Sequence, residues 1–164
     1  VQAPWSRMLR DEGGDSRVGT VLTAASPRGA LAVRPTDGDA QESAIALTFD
    51  RPAEALITGP PVDLSRQRNG DMVLAFSIRL DAAPSGPINL VFGQQTIDIA
   101  PTLEGTRPGV WRTLRVRLAC FDSRPNAATA VETPFGLRSA HPLRVSLAEI
   151  GLASNDGGAT CPEP

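Results

Sequence analysis

The stretch Met72-Val-Leu-Ala-Phe-Ser-Ile-Arg-Leu-Asp81 alternates along its whole length. Leu74, Phe76, Ile78 and Leu80 fall on one side, and Val73, Ala75, Ser77 and Arg79 on the other. Successive side chains of a β-strand point to opposite faces, so this period predicts a strand with one face in a core. Three further stretches repeat the pattern. Residues 43–50 set Ile45, Leu47 and Phe49 against Ala44, Ala46 and Thr48. Residues 111–118 set Leu114, Val116 and Leu118 against Thr113, Arg115 and Arg117. Residues 142–154 begin Leu143, Val145, Leu147 and then change phase at Ile150 and Leu152, as a strand does at a β-bulge. Weaker strand patterns occupy 18–23, 30–34, 55–58, 88–92 and 96–99. Helical periodicity is confined to a short turn at 125–132, which Pro134 would stop.

Between these stretches 15 Gly and 15 Pro punctuate the chain throughout. Strands with one apolar face need a second sheet to cover it. About nine such strands, with turn residues at short intervals, predict an all-β chain: an antiparallel β-sandwich of jelly-roll topology with little helix. The chain has 164 residues, enough for one domain. Residues 18–153 are expected to form the sandwich, 1–17 a connector from an upstream domain that includes Trp5, and 154–164 a tail. The sequence starts at Val1 without Met or a signal-peptide pattern and reads as a piece of a longer chain.

Composition removes several chemistries. All 16 basic residues are Arg, so no lysine serves a phosphate loop, a Schiff base or a cofactor. The abundance of Arg, Ala, Gly and Pro matches a high-GC bacterial coding bias. The net charge of -2 argues against a nucleic-acid partner, and no apolar run reaches the length of a membrane-spanning helix. A Ser–His–Asp site would have to use His141, the sole histidine, in an Ala-His-Pro-Leu turn. No Gly-x-Ser-x-Gly or Gly-x-Gly-x-x-Gly motif is present. Cys120 and Cys161 lack the spacing of a zinc site. Asp37, Asp39 and Glu42 form one local acidic cluster, which reads either as calcium ligands or as a solvated turn at Asp37-Gly38. No catalytic residue and no cofactor is assigned.

Trp111 points away from Leu114 and Val116, on the same side as Arg115 and Arg117. These three residues are the carbohydrate-binding candidates, with the indole as stacking platform and the guanidiniums as hydroxyl donors. The alternative is that Trp111 packs under a loop and the arginines pair with acids on the next strand.

The segment Trp111-Arg-Thr-Leu-Arg-Val-Arg-Leu-Ala-Cys-Phe121 is followed by Pro134-Phe-Gly-Leu137 and then Leu143-Arg-Val-Ser-Leu-Ala-Glu-Ile-Gly-Leu152. This order resembles the C-terminal domain of ExoP-type exo-β-glucanases and β-glucosidases of glycoside hydrolase family 3. Ala40-Gln-Glu-Ser-Ala44 is similar to that family's Gln-Glu-Asp-Ala stretch, with Ser43 in the Asp position, and Asp63-Leu-Ser65 also fits. The resemblance covers most of residues 18–162. It implies a galactose-binding-like sandwich appended to upstream catalytic domains that lie outside this chain. Two functions follow as expectations: a non-catalytic accessory domain that binds β-glucan oligosaccharide weakly or presents it, or a structural domain that stabilises or assembles the parent enzyme and touches no sugar. The family context implies a periplasmic or secreted protein. In such a compartment two cysteines predict one disulfide, Cys120 to Cys161, that ties the tail back; the alternative is two free thiols.

Overall fold

A computed structural model describes residues 5–18, 23–37, 43–121 and 128–161. In chain order the strands are β1 (Ser6–Asp11), β2 (Gly14–Val18), β3 (Ala24–Ala25), β4 (Leu31–Asp37), β5 (Ser43–Phe49) and β6 (Ala53–Thr58). After a helix α1 (Ser65–Asn69) come β7 (Met72–Leu80), β8 (Asn89–Phe92), β9 (Gln95–Asp98), β10 (Trp111–Arg117), β11 (Phe135–Ser139) and β12 (Leu143–Ser154). They form two six-stranded sheets in the orders β2-β1-β6-β11-β8-β9 and β10-β7-β12-β5-β4-β3, with every pairing antiparallel. The result is the expected jelly-roll sandwich.

Alternation decides which side chains meet between the sheets. Leu74, Phe76, Ile78 and Leu80 of β7 are buried in one cluster with Leu47 and Phe49 of β5 and Leu114 and Val116 of β10. From the first sheet Leu90, Phe92, Phe135 and Leu137 join them. Phe76 and Phe135 meet edge to face across the interface, with centroids 5.3 Å apart. The bulge lies in β12: the register to β7 shifts between Ala148 and Gly151, and Glu149 there has φ of 57°. Beyond it Leu152 pairs with Leu74, so even-numbered residues now take the inward side. Ile150 packs against the core there, while Leu152 is partly open to solvent.

Three expectations change. Residues 10–17 do not connect Trp5 to a first strand. β1 and β2 form a hairpin whose β1 pairs with β6, so the sandwich starts at Ser6. Leu9 and Val18 are the anchors that draw this polar hairpin into the core. The strand expected at 18–23 ends β2 at Val18, and 19–22 lie outside the described residues. The described part of the expected turn at 125–132 is not helical. Val131 instead exchanges backbone hydrogen bonds with Val62, while Asp63 accepts the Ser65 N–H and α1 follows at once.

Candidate functional site

The pairing register lays one row of outward side chains across the second sheet. Trp111 is opposite Arg79, Arg79 opposite Ser146, Ser146 opposite Ala46, and Ala46 opposite Arg34. In the next row Arg144 is opposite Thr48, Thr48 opposite Ala32, and Ala32 opposite Ala25. The middle of both rows is small residues, with Arg79 and Arg34 flanking the first row and Arg144 at one end of the second. An open groove of about 810 Å³ results, floored by Ala25, Ala32 and Ala46 and walled by Arg34, Arg79 and Arg144.

Arg79 fixes one wall. Its Nε donates to Asp81 Oδ1 at 2.6 Å, and its Nη2 donates to Ser146 Oγ at 3.0 Å. Ser146 Oγ in turn donates to Asp81 Oδ2 at 2.7 Å. The guanidinium carbon lies 5.1 Å from the Trp111 ring centroid, within cation–π range. Thr36 Oγ1 stands at the edge of the same network, 3.5 Å from Arg79 Nη2. A ring of directed donors and acceptors is held rigid here by pairing among β7, β10 and β12.

The three residues singled out in the sequence share the outer face of β10, but they do different things. Trp111 abuts Arg79 at the groove end. Arg117 is six residues on, roughly 20 Å along the strand. Its Nε donates to Asp71 Oδ1 at 2.6 Å. Asp71 also accepts from Asn155 Nδ2 at 2.9 Å, and the Asn155 bond, then the Arg117 bond, holds its carboxyl below the usual aspartate range. Arg117 is thus tied to the tail rather than free to meet a sugar. Arg115 is exposed beside Gly157. Cys120, in the 3-10 turn after β10, and Cys161 are joined in a disulfide with Cα atoms 5.4 Å apart. The His141 ring lies against Gly86, so close that a Cβ on that glycine would sit 2.1 Å from His141 Cδ2. Of the calcium candidates, Asp39, Glu42 and the side chain of Asp37 lie outside what the structure describes. Among the described residues no group of three His, Cys, Asp or Glu is placed to hold a metal, and no helix is long and apolar enough to cross a membrane. The sequence reading missed Arg34, Arg79, Asp81 and Arg144; their outward parity was visible, but their proximity comes from strand order.

Two antiparallel sheets packed face to face, with an open groove on one outer face, make this a β-sandwich of the galactose-binding-like class. The chain belongs to the Exop_C family, galactose-binding domain-like, whose model matches residues 3–152. It is similar to the exo-1,3/1,4-β-glucanase ExoP of a Pseudoalteromonas species, with a TM-score of 0.79 at 18% identity over 94% of this chain and 19% of that one. Against the extra C-terminal domain of ExoP alone the TM-score is 0.78 at 18% identity, covering 95% and 91% of the two chains. A family 11 carbohydrate-binding module from Clostridium thermocellum, in complex with a β-1,3-1,4-mixed-linked tetrasaccharide, has a TM-score of 0.56 at 11% identity, covering 91% and 96%. The chain thus spans 19% of the length of the whole enzyme it resembles. No curated protein matches the sequence.

Proposed function

We propose that the chain is a non-catalytic accessory domain of a family 3 glycoside hydrolase and that it binds or presents glycan in the groove of the second sheet. The observation that carries this is the groove itself: an open trough, long enough to span several strands, with donors and acceptors held in place by the Arg79–Asp81–Ser146 network. The tetrasaccharide held by the family 11 module, a protein of the same fold, supports it. The Cys120–Cys161 disulfide supports a periplasmic or secreted location, where such bonds persist. Affinity is modest. A few hydrogen bonds in an open groove correspond to dissociation constants from high micromolar to millimolar, about -4 to -6 kcal/mol.

The test is titration of β-1,3- and β-1,4-linked gluco-oligosaccharides and of acidic oligosaccharides of similar length, followed by nuclear magnetic resonance shifts. Shifts confined to β3, β4, β5, β7 and β12, weakened in Arg79→Ala, are expected. A chain that binds none of these sugars would serve its parent enzyme as a structural domain instead.

A further inference from the structure

We infer that the glycan this groove takes is anionic, an oligosaccharide whose carboxylate or sulfate groups sit against Arg34 and Arg144. The inference rests on the carbohydrate reading above and narrows it to a substrate class.

Among the described residues three guanidiniums line the groove against one carboxylate, in a chain whose overall charge is -2. That one carboxylate, Asp81, is already held by Arg79 and Ser146. Glu149, another acid of this sheet, accepts from Ser77 at 3.0 Å, outside the groove. Among the described residues the side chains of Arg34 and Arg144 have neither an ion pair nor a hydrogen bond, and both residues are exposed. Exposed arginines on the rim of a sheet are ordinary. Here two point into one groove, from β4 and β12, with β5 between them. They are two strand spacings and one row apart, which sets their Cα atoms about 12 Å from each other.

The floor between them argues the same way. A neutral pyranose gains most of its affinity by stacking on an aromatic ring, and this floor is alanine. Trp111 stands at the far end, against Arg79. With no ring to stack on, the strongest contacts the groove offers are charge-assisted hydrogen bonds. A guanidinium presents a planar fork that matches a carboxylate or a sulfate with two parallel N–H donors. Thr36 and Thr48 add hydroxyls for the sugar oxygens between. The groove is open to water, so an oxyanion keeps much of its hydration and the attraction falls with salt.

The experiment uses the intact chain and size-matched tetrasaccharides: a neutral β-glucan fragment, a uronate oligomer and a sulfated β-glucan fragment, each titrated by calorimetry at low and at physiological ionic strength. Inorganic sulfate and acetate serve as free-ion probes. The expected result is at least about tenfold tighter binding of one anionic sugar than of the neutral one at low salt, a difference of about 1.4 kcal/mol. The preference shrinks as salt rises, and which anionic sugar wins assigns carboxylate or sulfate. Arg34→Gln and Arg144→Gln each bring the anionic-to-neutral ratio to within about threefold. Arg17→Gln, the same charge change on the opposite sheet, leaves the ratio in place. Equal binding of neutral and anionic sugars overturns the inference and leaves the carbohydrate reading standing. A preference that survives both groove variants, or that Arg17→Gln reduces equally, also overturns it. Free sulfate or acetate binding as tightly as the sugars does so too. Binding of no sugar at all removes both readings together.

Discussion

The guanidinium of Arg79 serves Asp81 and Trp111 at once: its Nε lies 2.6 Å from Asp81 Oδ1 and its carbon 5.1 Å from the Trp111 ring centroid. Asp81, one residue past the end of β7, and Trp111, directly across on β10, are thereby locked to Arg79. Both charged side chains are largely shielded, at 21% and 25% exposure, so the pair is less screened than a surface one. Arg79→Ala leaves Asp81 with Ser146 alone and is expected to cost about 1–2 kcal/mol. Arg79→Lys keeps the charge, loses the fork and falls between. Urea denaturation measures both, and Trp emission in a Trp5→Phe background reports the change around Trp111. Unchanged emission and stability in Arg79→Ala would show that the contact is not formed in solution.

The disulfide closes a sequence separation of 41 residues. In the chain-entropy model that closure contributes about 4 kcal/mol. Replacing both cysteines by alanine should lower the unfolding free energy by up to this amount, with the groove unaltered because it lies on other strands. The tail has a second anchor in Asn155, which bonds Asp71 and, through Oδ1, the Ala159 N–H at 2.7 Å. Hydrogen exchange in the double variant should therefore rise first after Ala159 and only later at Asn155. Equal exchange along the tail would deny the second anchor.

Gly136 lies in the middle of the first sheet, and Leu56 from β6 folds over it. A Cβ there would meet Leu56 Cδ2 at 2.6 Å and Val91 Cβ at 3.0 Å. Leu56 can swing aside in part; the Val91 branch is fixed by its strand. Gly136→Ala is expected to cost about 1–3 kcal/mol by overpacking. In the Leu56→Ala background the penalty should be smaller, because one of the two clashes is gone. Additive losses in this double-mutant cycle would mean that the cost comes from elsewhere.

Gly136 also shows where the sequence was silent. β11 is Phe-Gly-Leu-Arg-Ser, five residues with a glycine where a β-branched residue would have signalled a strand. The long alternating strands β5, β7, β10 and the first half of β12 were legible because their apolar residues recur on one side and pack into the core. The bulge was legible because a phase change in apolar residues has few other causes. β1 and β2 bury little beyond Leu9 and Val18, so their polar composition read as connector. At the groove, parity along β10 put Trp111 on the outer face. Only strand order brings Arg34, Arg79 and Arg144 beside one another, from positions far apart in sequence. Single-sequence reading sees faces; it does not see neighbours.

Asp11 at the end of β1 joins the two sheets. Its carboxylate accepts the N–H of Gly13 at 2.7 Å, of Arg28 at 2.7 Å and of Ala30 at 3.4 Å, and so fastens the β1–β2 turn to the turn before β4. Partial desolvation works against the charge, but the Ser26 hydroxyl and these backbone donors outweigh it, and the carboxyl is held at about 2 against an ordinary 3.8. A carboxyl depressed in the folded state adds stability above the unfolded value and loses it as pH falls toward the folded one. The contribution of Asp11 is therefore complete above about pH 4 and drains away between there and about pH 2. Asp11→Asn should lower the melting temperature at neutral pH and lose less on acidification across that window. Asp63 and Asp71, also held low by hydrogen bonds, keep some acid dependence in the variant. Melting curves at half-unit pH steps decide it: parallel acid limbs for wild type and Asp11→Asn would show that the backbone donors do not hold this carboxylate in solution.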